Sequence, residues 1–245
     1  MRNIRLTIEY DGKDFNGWQK QPNKLNIQGT IEKVISEMTG EEIELNASGR
    51  TDAGVHSFGQ VANFKTNSKI PIDKFPIAIN SKIKKSIVIT NAEEVEERFH
   101  SRLSYKKKTY RYVINNSEFS SAIYRNLETH IPYKLDVIKM QNAAKYFEGE
   151  HDFKAFKSSG TSGKNSVRTI YKAEVRKEGD NIIIELTGNG FLYNMVRIIS
   201  GTLLDVGLGK IKPEEIPEII ESKDRQRAGR TLPAHGLYLV QVVYN

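Results

Sequence analysis

Cysteine is absent from this chain of 245 residues. That absence excludes disulfide bonds, thiolate catalysis and zinc sites with cysteine ligands. A long uninterrupted apolar run is absent too, because the most apolar stretch, residues 191–208, contains Arg197 and Asp205. A charge in the centre of a bilayer is costly. The opening segment, MRNIRLTIEYDG, has no apolar core of a signal peptide. We therefore expect a soluble, cytoplasmic protein.

The charge balance is basic, with 37 Lys and Arg against 30 Asp and Glu and a formal net charge of +7. Such a surplus suits a polyanionic partner such as nucleic acid. It suits a generic basic protein equally well. The hydrophobic share of 38% is ordinary for a globular protein with a packed core.

The first half of the chain mixes strand and helix patterns. Ile4, Leu6 and Ile8 alternate with polar residues, which predicts a strand. Ile27, Ile31 and later apolar residues recur at helical spacing ahead of Gly40. The predicted strands are residues 2–10, 42–47, 61–64 and 86–90, and the predicted helices are 27–38 and 73–82.

The second half of the chain also mixes strand and helix patterns. Glu178, Gly179 and Asp180 separate two strand patterns, which is a hairpin signal. The predicted strands are residues 109–114, 167–176, 181–186 and 237–242, and the predicted helices are 135–147, 192–204 and 213–221. Both halves indicate an α+β class rather than alternating βαβ units. The composition changes from acidic to basic at residues 98–108, where we place the lobe boundary.

One polar segment, NASGRTDAGVHSFGQ at residues 46–60, concentrates ionisable groups among small residues. Arg50, Asp52 and His56 lie within seven positions of one another. Small residues allow a ligand or a backbone to approach closely. The same residue types also build ordinary surface loops with a salt bridge, so composition alone leaves an active-site loop and a capped surface loop open.

The string GRTDAGVH, with Gln60 shortly after it, resembles the signature of the tRNA pseudouridine synthase A family. Four further strings resemble that family in the same order: EYDG…FNGWQ, KTYRYVI, GNGFLYNMVRIISGTLLDVGLGK and GLYLV. Together these motifs span essentially the whole chain. Five motifs in register are a far more specific signal than one.

The resemblance implies an α+β fold of two related lobes, each a mixed or antiparallel sheet with helices packed on one face. It implies an active-site cleft between them. Residues 1–104 would form an N-terminal lobe with the catalytic aspartate loop, and residues 105–245 a C-terminal lobe with the active-site tyrosine and arginine. It also implies a homodimer that modifies uridines 38, 39 and 40 in the anticodon stem-loop of tRNA, without a metal or an organic cofactor.

Four residues match the family's site. Asp52 matches the essential aspartate, which acts as a nucleophile or as a base. Tyr110 matches the active-site tyrosine, although strand periodicity alone does not separate it from Tyr112. Arg197 matches a basic residue that pairs with the catalytic carboxylate. Arg50 matches a residue that positions the flipped nucleotide or a phosphate.

Further basic residues are candidates for RNA contacts. His56 lacks a second ligand at metal spacing, so we interpret it as a loop residue or an RNA contact. Charge runs are often only solvated faces, but these could track phosphates. The candidates are Lys106, Lys107, Lys108, Lys157, Lys164 and Arg168.

Two other interpretations remain open: a synthase acting on another RNA, and a tRNA-binding protein without catalysis. Asp52, Tyr110 and Arg197 together argue against pure binding, which needs no such carboxylate. Departures from the family pattern are mild. His235, and Tyr193 with Asn194, vary at positions where we expect no contact with the chemistry.

Overall fold

A computed structural model describes residues 1–159 and 165–244 of the chain. It contains two compact units. Unit 1 comprises Met1–Lys106 and the chain from Tyr238 onward, and unit 2 comprises Lys107–Leu237. The predicted lobe boundary places the last strand in the C-terminal lobe, whereas in the structure the chain from Tyr238 onward groups with unit 1. Both units combine strands with helices, so the predicted α+β class is confirmed.

Strands and helices follow one another irregularly along the chain. The strands are β1 (Arg2–Tyr10), β2 (Asn46–Ala47), β3 (His56–Thr66), β4 (Ile87–Val95), β5 (Lys107–Asn115), β6 (Thr129–His130), β7 (Gly149–Asp152), β8 (Val167–Glu178), β9 (Asn181–Gly188) and β10 (Leu237–Val243). The helices are α1 (Ile27–Thr39), α2 (Lys74–Asn80), α3 (Val137–Lys145), α4 (Met195–Gly207) and α5 (Ile216–Ser222). Short 3-10 turns cover Phe153–Phe156, Pro213–Glu215 and Ala234–Gly236.

Unit 1 is a mixed sheet with two helices on one face. Its strand order is β4-β1-β3-β10, with β2 also paired to β3. Strand β1 is antiparallel to both neighbours, whereas β10 is parallel to the first residues of β3. Alternate residues of β1 (Ile4, Leu6 and Ile8) are fully buried against apolar residues of α1 and α2. The apolar residues of the predicted strand and of the predicted helices therefore pack together in one core.

Unit 2 carries an antiparallel sheet in the order β5-β9-β8-β7, with β6 parallel to β5. The hairpin between β8 and β9 turns at Gly179, whose φ of 60° suits glycine. Helix α3 packs on β8 and on α4. Gly207 of α4 makes room for this packing, because a Cβ there would lie 2.7 Å from the sulfur of Met140.

The predicted strand at residues 42–47 is wrong over most of its length, since only Asn46 and Ala47 are extended in a ladder. Side chains of α1 replace the missing strand partners. The Ile43 N–H donates to Ser36 Oγ at 3.2 Å, and the Leu45 N–H donates to Glu32 Oε1 at 3.0 Å. A buried carboxylate that accepts backbone N–H groups satisfies them as a neighbouring strand would.

Two further boundaries differ from expectation. Strand β3 begins at His56 rather than at residue 61, so the end of the polar signature is already sheet. Helix α4 begins at Met195, because the preceding Asn194 has a left-handed φ of 61°. Within residues 1–159 and 165–244, no helix is long and apolar enough to cross a membrane.

Candidate active site

Residues 48–55, which we call the Asp52 loop, connect β2 to β3 in unit 1. Asp52 is half-buried, and its neighbour Thr51 is buried. The Val55 N–H donates to the Asp52 carbonyl at 3.1 Å, which closes a tight turn at Gly54, where φ is 79°. The carboxylate is thus carried on a short turn at the entrance to a strand, outside any ladder of regular structure.

The two parts of the N-terminal motif, EYDG and FNGWQ, hold this loop from one side. The Trp18 N–H donates to the Thr51 carbonyl at 3.0 Å. The Tyr10 and Thr51 hydroxyl oxygens lie 2.8 Å apart and share a hydrogen bond. Gly17 permits the close approach, because a Cβ on it would lie 2.6 Å from the Thr51 carbonyl oxygen. The EYDG and FNGWQ strings therefore act as a support for the residue that precedes Asp52.

Gln60 of β3 holds the loop from the other side and is fully buried. Its Nε2 donates to the Gly49 carbonyl at 3.0 Å, and its Oε1 accepts from Ser48 Oγ at 2.7 Å. A buried amide with satisfied donors and acceptors is rigid, since losing any one bond leaves a polar atom unpaired. The start of the Asp52 loop is therefore as well anchored as its centre.

Burial raises the pKa of Tyr10 to about 12, although hydrogen bonds from Thr51, Gln60 and Ser57 pull in the opposite direction. The phenol is consequently neutral across the physiological range. A neutral hydroxyl can both donate and accept. Tyr10 is suited to fixing a neighbour and unsuited to acting as a base.

His56 is 2% exposed, and its ring stacks on Tyr238 at a centroid distance of 4.9 Å. Its Nδ1 lies 3.1 Å from the Gly12 nitrogen and 3.1 Å from Asp11 Oδ1. Both contacts come from the EYDG segment, which therefore holds the imidazole ring in place. Of the two roles left open by sequence, burial favours the loop residue over the direct RNA contact.

Arg50 is exposed at the outer edge of the Asp52 loop. Arg2, Arg5 and Arg98 of unit 1 form salt bridges within the chain, with Glu94, Glu93 and Glu96 respectively. Across the described ranges, no salt bridge to Arg50 is present. An exposed guanidinium beside a carboxylate loop is well suited to a phosphate, which it can bind through two parallel hydrogen bonds.

Tyr110 and Tyr112 share one side of β5 in unit 2, as the sequence predicts, but their surroundings differ. Tyr112 is fully buried, and its hydroxyl bonds Thr129 Oγ1 at 2.6 Å and the Pro233 carbonyl at 2.8 Å. Burial raises the pKa of Tyr112 above the usual range. Tyr110 is half-buried and meets Phe191 edge-on at 5.2 Å. Tyr112 is therefore structural, and Tyr110 keeps a partly accessible ring.

Arg197 lies in the first turn of α4 and is half-buried. Its Nε donates to the Leu232 carbonyl at 2.6 Å, and Nη1 donates to Asn194 Oδ1 at 2.7 Å. A cation near a helix N-terminus interacts unfavourably with the helix dipole. Arg197 therefore does not stabilise helix α4 through its charge. Asn194, for which we expect no contact with the chemistry, accepts a hydrogen bond from Arg197, one of the candidate site residues.

A second group of contacts fixes residues 229–232, where the Leu232 carbonyl accepts the hydrogen bond from Arg197. Gly201 of α4 lets this segment pass, since a Cβ there would lie 1.8 Å from the Arg230 carbonyl oxygen. Arg225 Nη1 donates to the Gly229 carbonyl at 2.9 Å, and Nη2 donates to Thr231 Oγ1 at 3.0 Å. Gly201 of the long motif and Arg225 thus fix the chain that accepts the Arg197 hydrogen bond, as the N-terminal motif fixes the residue before Asp52.

The basic candidates divide by exposure. Lys106 and Lys107 are exposed, whereas Lys108 is 6% exposed, because the alternation of β5 turns its side chain inward. A buried lysine is poorly placed for a solvent-facing phosphate, so we remove Lys108 from that group. Lys157 and Arg168 are half-buried, and Arg168 donates to the Val167 carbonyl at 2.6 Å. Lys164 lies outside the described residues.

Comparison with known proteins agrees with the motifs. The family model described as tRNA pseudouridine synthase matches residues 6–104 and 143–245. A tRNA pseudouridine synthase A from Caldicellulosiruptor saccharolyticus is 57% identical over 244 residues, with 100% of both chains covered. A protein of the same name from Acetivibrio thermocellus is 55% identical over 244 residues, and tRNA pseudouridine synthase A 2 from Clostridium perfringens is 53% identical, both with complete coverage.

The family match and the full-length relatives thus define an RNA-modifying isomerase. The chain belongs to the tRNA pseudouridine synthase family.

Proposed function

We propose that this enzyme converts uridine to pseudouridine in the anticodon stem-loop of tRNA, at positions 38, 39 and 40, with Asp52 as the catalytic residue. The bond between C1′ of the ribose and N1 of the base breaks, and a bond between C1′ and C5 forms. N1 gains a proton and C5 loses one, so the reaction needs no oxidant or reductant. The full-length likeness to relatives named tRNA pseudouridine synthase A is the observation that carries the proposal.

Asp52 has two chemically sound routes. Its carboxylate attacks C1′ as a nucleophile, or it removes a proton from the sugar as a base. Both routes need the ionised form and a fixed position. The hydrogen bonds on Thr51 and Gly49 support the second requirement, because a small misplacement of a reacting group lowers the rate strongly.

Tyr110, Arg197 and Arg50 have supporting roles in this proposal. The Tyr110 ring stacks on the detached uracil, or its hydroxyl moves a proton. Arg197 supplies a positive charge that favours ionised carboxylates. Arg50 binds a phosphate near the target nucleotide, in keeping with its exposure and its position two residues before Asp52.

The target base must leave its stack before reaction, which costs a few kcal/mol by analogy with other base-modifying enzymes. Contacts to the phosphate backbone offset that cost. Lys106, Lys107, Lys157 and Arg168 are the candidates for these contacts. We also propose that the enzyme is a cytoplasmic homodimer in which one tRNA contacts both subunits.

The test is incubation of the purified enzyme with tRNA transcripts that lack modification, followed by mapping of pseudouridine at single-nucleotide resolution. We expect new pseudouridine at positions 38, 39 and 40 and nowhere else in the transcript. Modification confined to other positions, or to another RNA offered in parallel, would overturn the assigned target. Mass measurement of the enzyme with and without tRNA tests the dimer.

A further inference from the structure

The Tyr10 ring lies in an apolar core, and its hydroxyl lies beside the polar side chains of Thr51, Gln60 and Ser57. Its ring is 3% exposed and belongs to the core of unit 1, where it lies 6.1 Å from the ring of Trp18. A phenylalanine would fill the same volume. Burying a hydroxyl carries a desolvation cost that its hydrogen bond only roughly offsets. The phenol oxygen therefore adds little to the core, and its contact with Thr51 at 2.8 Å is the feature that needs explaining.

Thr51 immediately precedes Asp52 and is 6% exposed. Its carbonyl is already held by the Trp18 N–H, which fixes one atom of the peptide. The Tyr10 hydroxyl holds the side chain of the same residue, so two points on Thr51 are fixed. Two fixed points set the rotation of the residue as well as its place. That rotation determines the direction in which the chain leaves toward Asp52.

We propose that the Tyr10–Thr51 hydroxyl pair is a positioning device that sets the orientation of the Asp52 carboxylate for the isomerisation. The inference rests on the proposed function, because it assigns to Tyr10 and Thr51 a role that acts through Asp52. Neither residue touches the substrate in this proposal. The pair affects the chemical step and leaves tRNA binding alone.

The experiment compares Tyr10→Phe, Thr51→Val and the double variant, all in the full chain. Thr51→Ser restores the hydroxyl and is the rescue variant. Thr66→Val is the matched control: Thr66 is also buried in unit 1, but it lies at the opposite end of β3 and bonds Glu41. Each protein is measured for single-turnover rate at saturating enzyme, for tRNA dissociation constant and for thermal unfolding.

We expect Tyr10→Phe and Thr51→Val each to lower the single-turnover rate by about 10- to 100-fold, the size of effect that a misplaced reacting group produces. The dissociation constant should stay within about twofold, since phosphate contacts carry the binding. The double variant should be no slower than the slower single variant, because both changes remove one shared bond. Thr51→Ser and Thr66→Val should react at close to the wild-type rate.

Rates within about twofold of wild type for both Tyr10→Phe and Thr51→Val would overturn the inference, given the effect expected of misplacement. So would an equal loss in Thr66→Val, or a Thr51→Ser variant no faster than Thr51→Val. If Tyr10→Phe does not fold, the comparison of Thr51→Ser with Thr51→Val decides the matter. An Asp52→Asn variant is measured alongside to separate the two claims. If Asp52→Asn turns over at the wild-type rate, the proposed function and this inference both fail. If Asp52→Asn is inactive while Tyr10→Phe reacts at the wild-type rate, only this inference fails.

Discussion

The α-carbon of Gly12 lies against the carbonyl of Val55, so closely that a Cβ on residue 12 would stand 2.0 Å from that oxygen. The obstacle is backbone, which cannot rotate away as a side chain can. The EYDG motif and the end of the Asp52 loop are thus in direct contact, and the glycine is required by that contact.

Gly12→Ala should therefore displace the Asp52 loop and lower the isomerisation rate by at least about tenfold, in line with the cost of misplacing a reacting group. It should also destabilise the fold by about 1–3 kcal/mol, as overpacking does. Gly40→Ala is the control, because Gly40 has a φ of 71° with open space around its Cβ position. That variant should lose stability and keep its rate. Equal rates in the two variants would contradict the prediction.

Tyr110→Leu should be nearly inactive, since leucine supplies neither an aromatic face nor a hydroxyl. Tyr110→Phe separates the two proposed roles: near-complete inactivity indicates proton transfer, and a mild loss indicates stacking. The loss of activity is measured as steady-state turnover, alongside the tRNA affinity of each variant. The affinity should change little in both variants. Full activity in both would show that Tyr110 is not the active-site tyrosine.

Tyr112→Phe should mainly reduce stability. It removes the hydroxyl that bonds Thr129 and the Pro233 carbonyl, and a lost buried hydrogen bond costs about 1–3 kcal/mol when a partner stays unpaired. Chemical denaturation measures the loss. A variant as stable as wild type would contradict the structural role given to this tyrosine.

The salt dependence of tRNA binding tests the basic segment ahead of Tyr110. Replacing Lys106 and Lys107 with Ala should flatten the slope of log affinity against log salt by up to about two units, because each neutralised phosphate releases condensed counterions. Lys84→Ala with Lys85→Ala is a control of equal charge change at two exposed lysines. If the plots of log affinity against log salt are parallel for wild type and the Lys106/Lys107 variant, these two lysines do not contact phosphates and belong to an ordinary solvated surface.

Alkaline unfolding tests the burial of Tyr10. Its pKa is raised from 10.0 to about 12 in the folded chain, so between these values the folded state retains a proton that the unfolded state has lost. Stability contributed by this group is present below pH 10 and is lost as pH rises toward 12. Tyr10→Phe should make the fall in unfolding free energy less steep by at most about 1.4 kcal/mol per pH unit. Identical slopes would contradict the assigned burial.

Much of the fold follows from patterns that the sequence displays locally. Helix α1 is an example, because Asn26 caps it, Gly40 ends it and its apolar residues face one side. Residues 42–45 are the counter-example. Their alternation resembles a strand, but Glu32 and Ser36 take their N–H groups, and no local pattern reveals a partner so far away along the chain.

The candidate site shows the same division. The motif strings point to Asp52, Tyr110 and Arg197, which lie on a loop, a strand and a helix turn. The supports are not predictable from the strings, because Tyr10 with Thr51, and Asn194 with Arg197, depend on side-chain contacts in three dimensions. The sequence offers only that Tyr10 and Gln60 stand within the quoted motifs, and it does not show that both are buried.

The most direct test of the central role of Asp52 is single-turnover isomerisation by Asp52→Asn, measured beside tRNA affinity. Asparagine keeps the shape of the side chain and loses the charge that both routes require. We predict no detectable pseudouridine at positions 38, 39 and 40, with the tRNA dissociation constant close to that of wild type. Product formation at the wild-type rate would contradict the assignment of Asp52 as the catalytic residue.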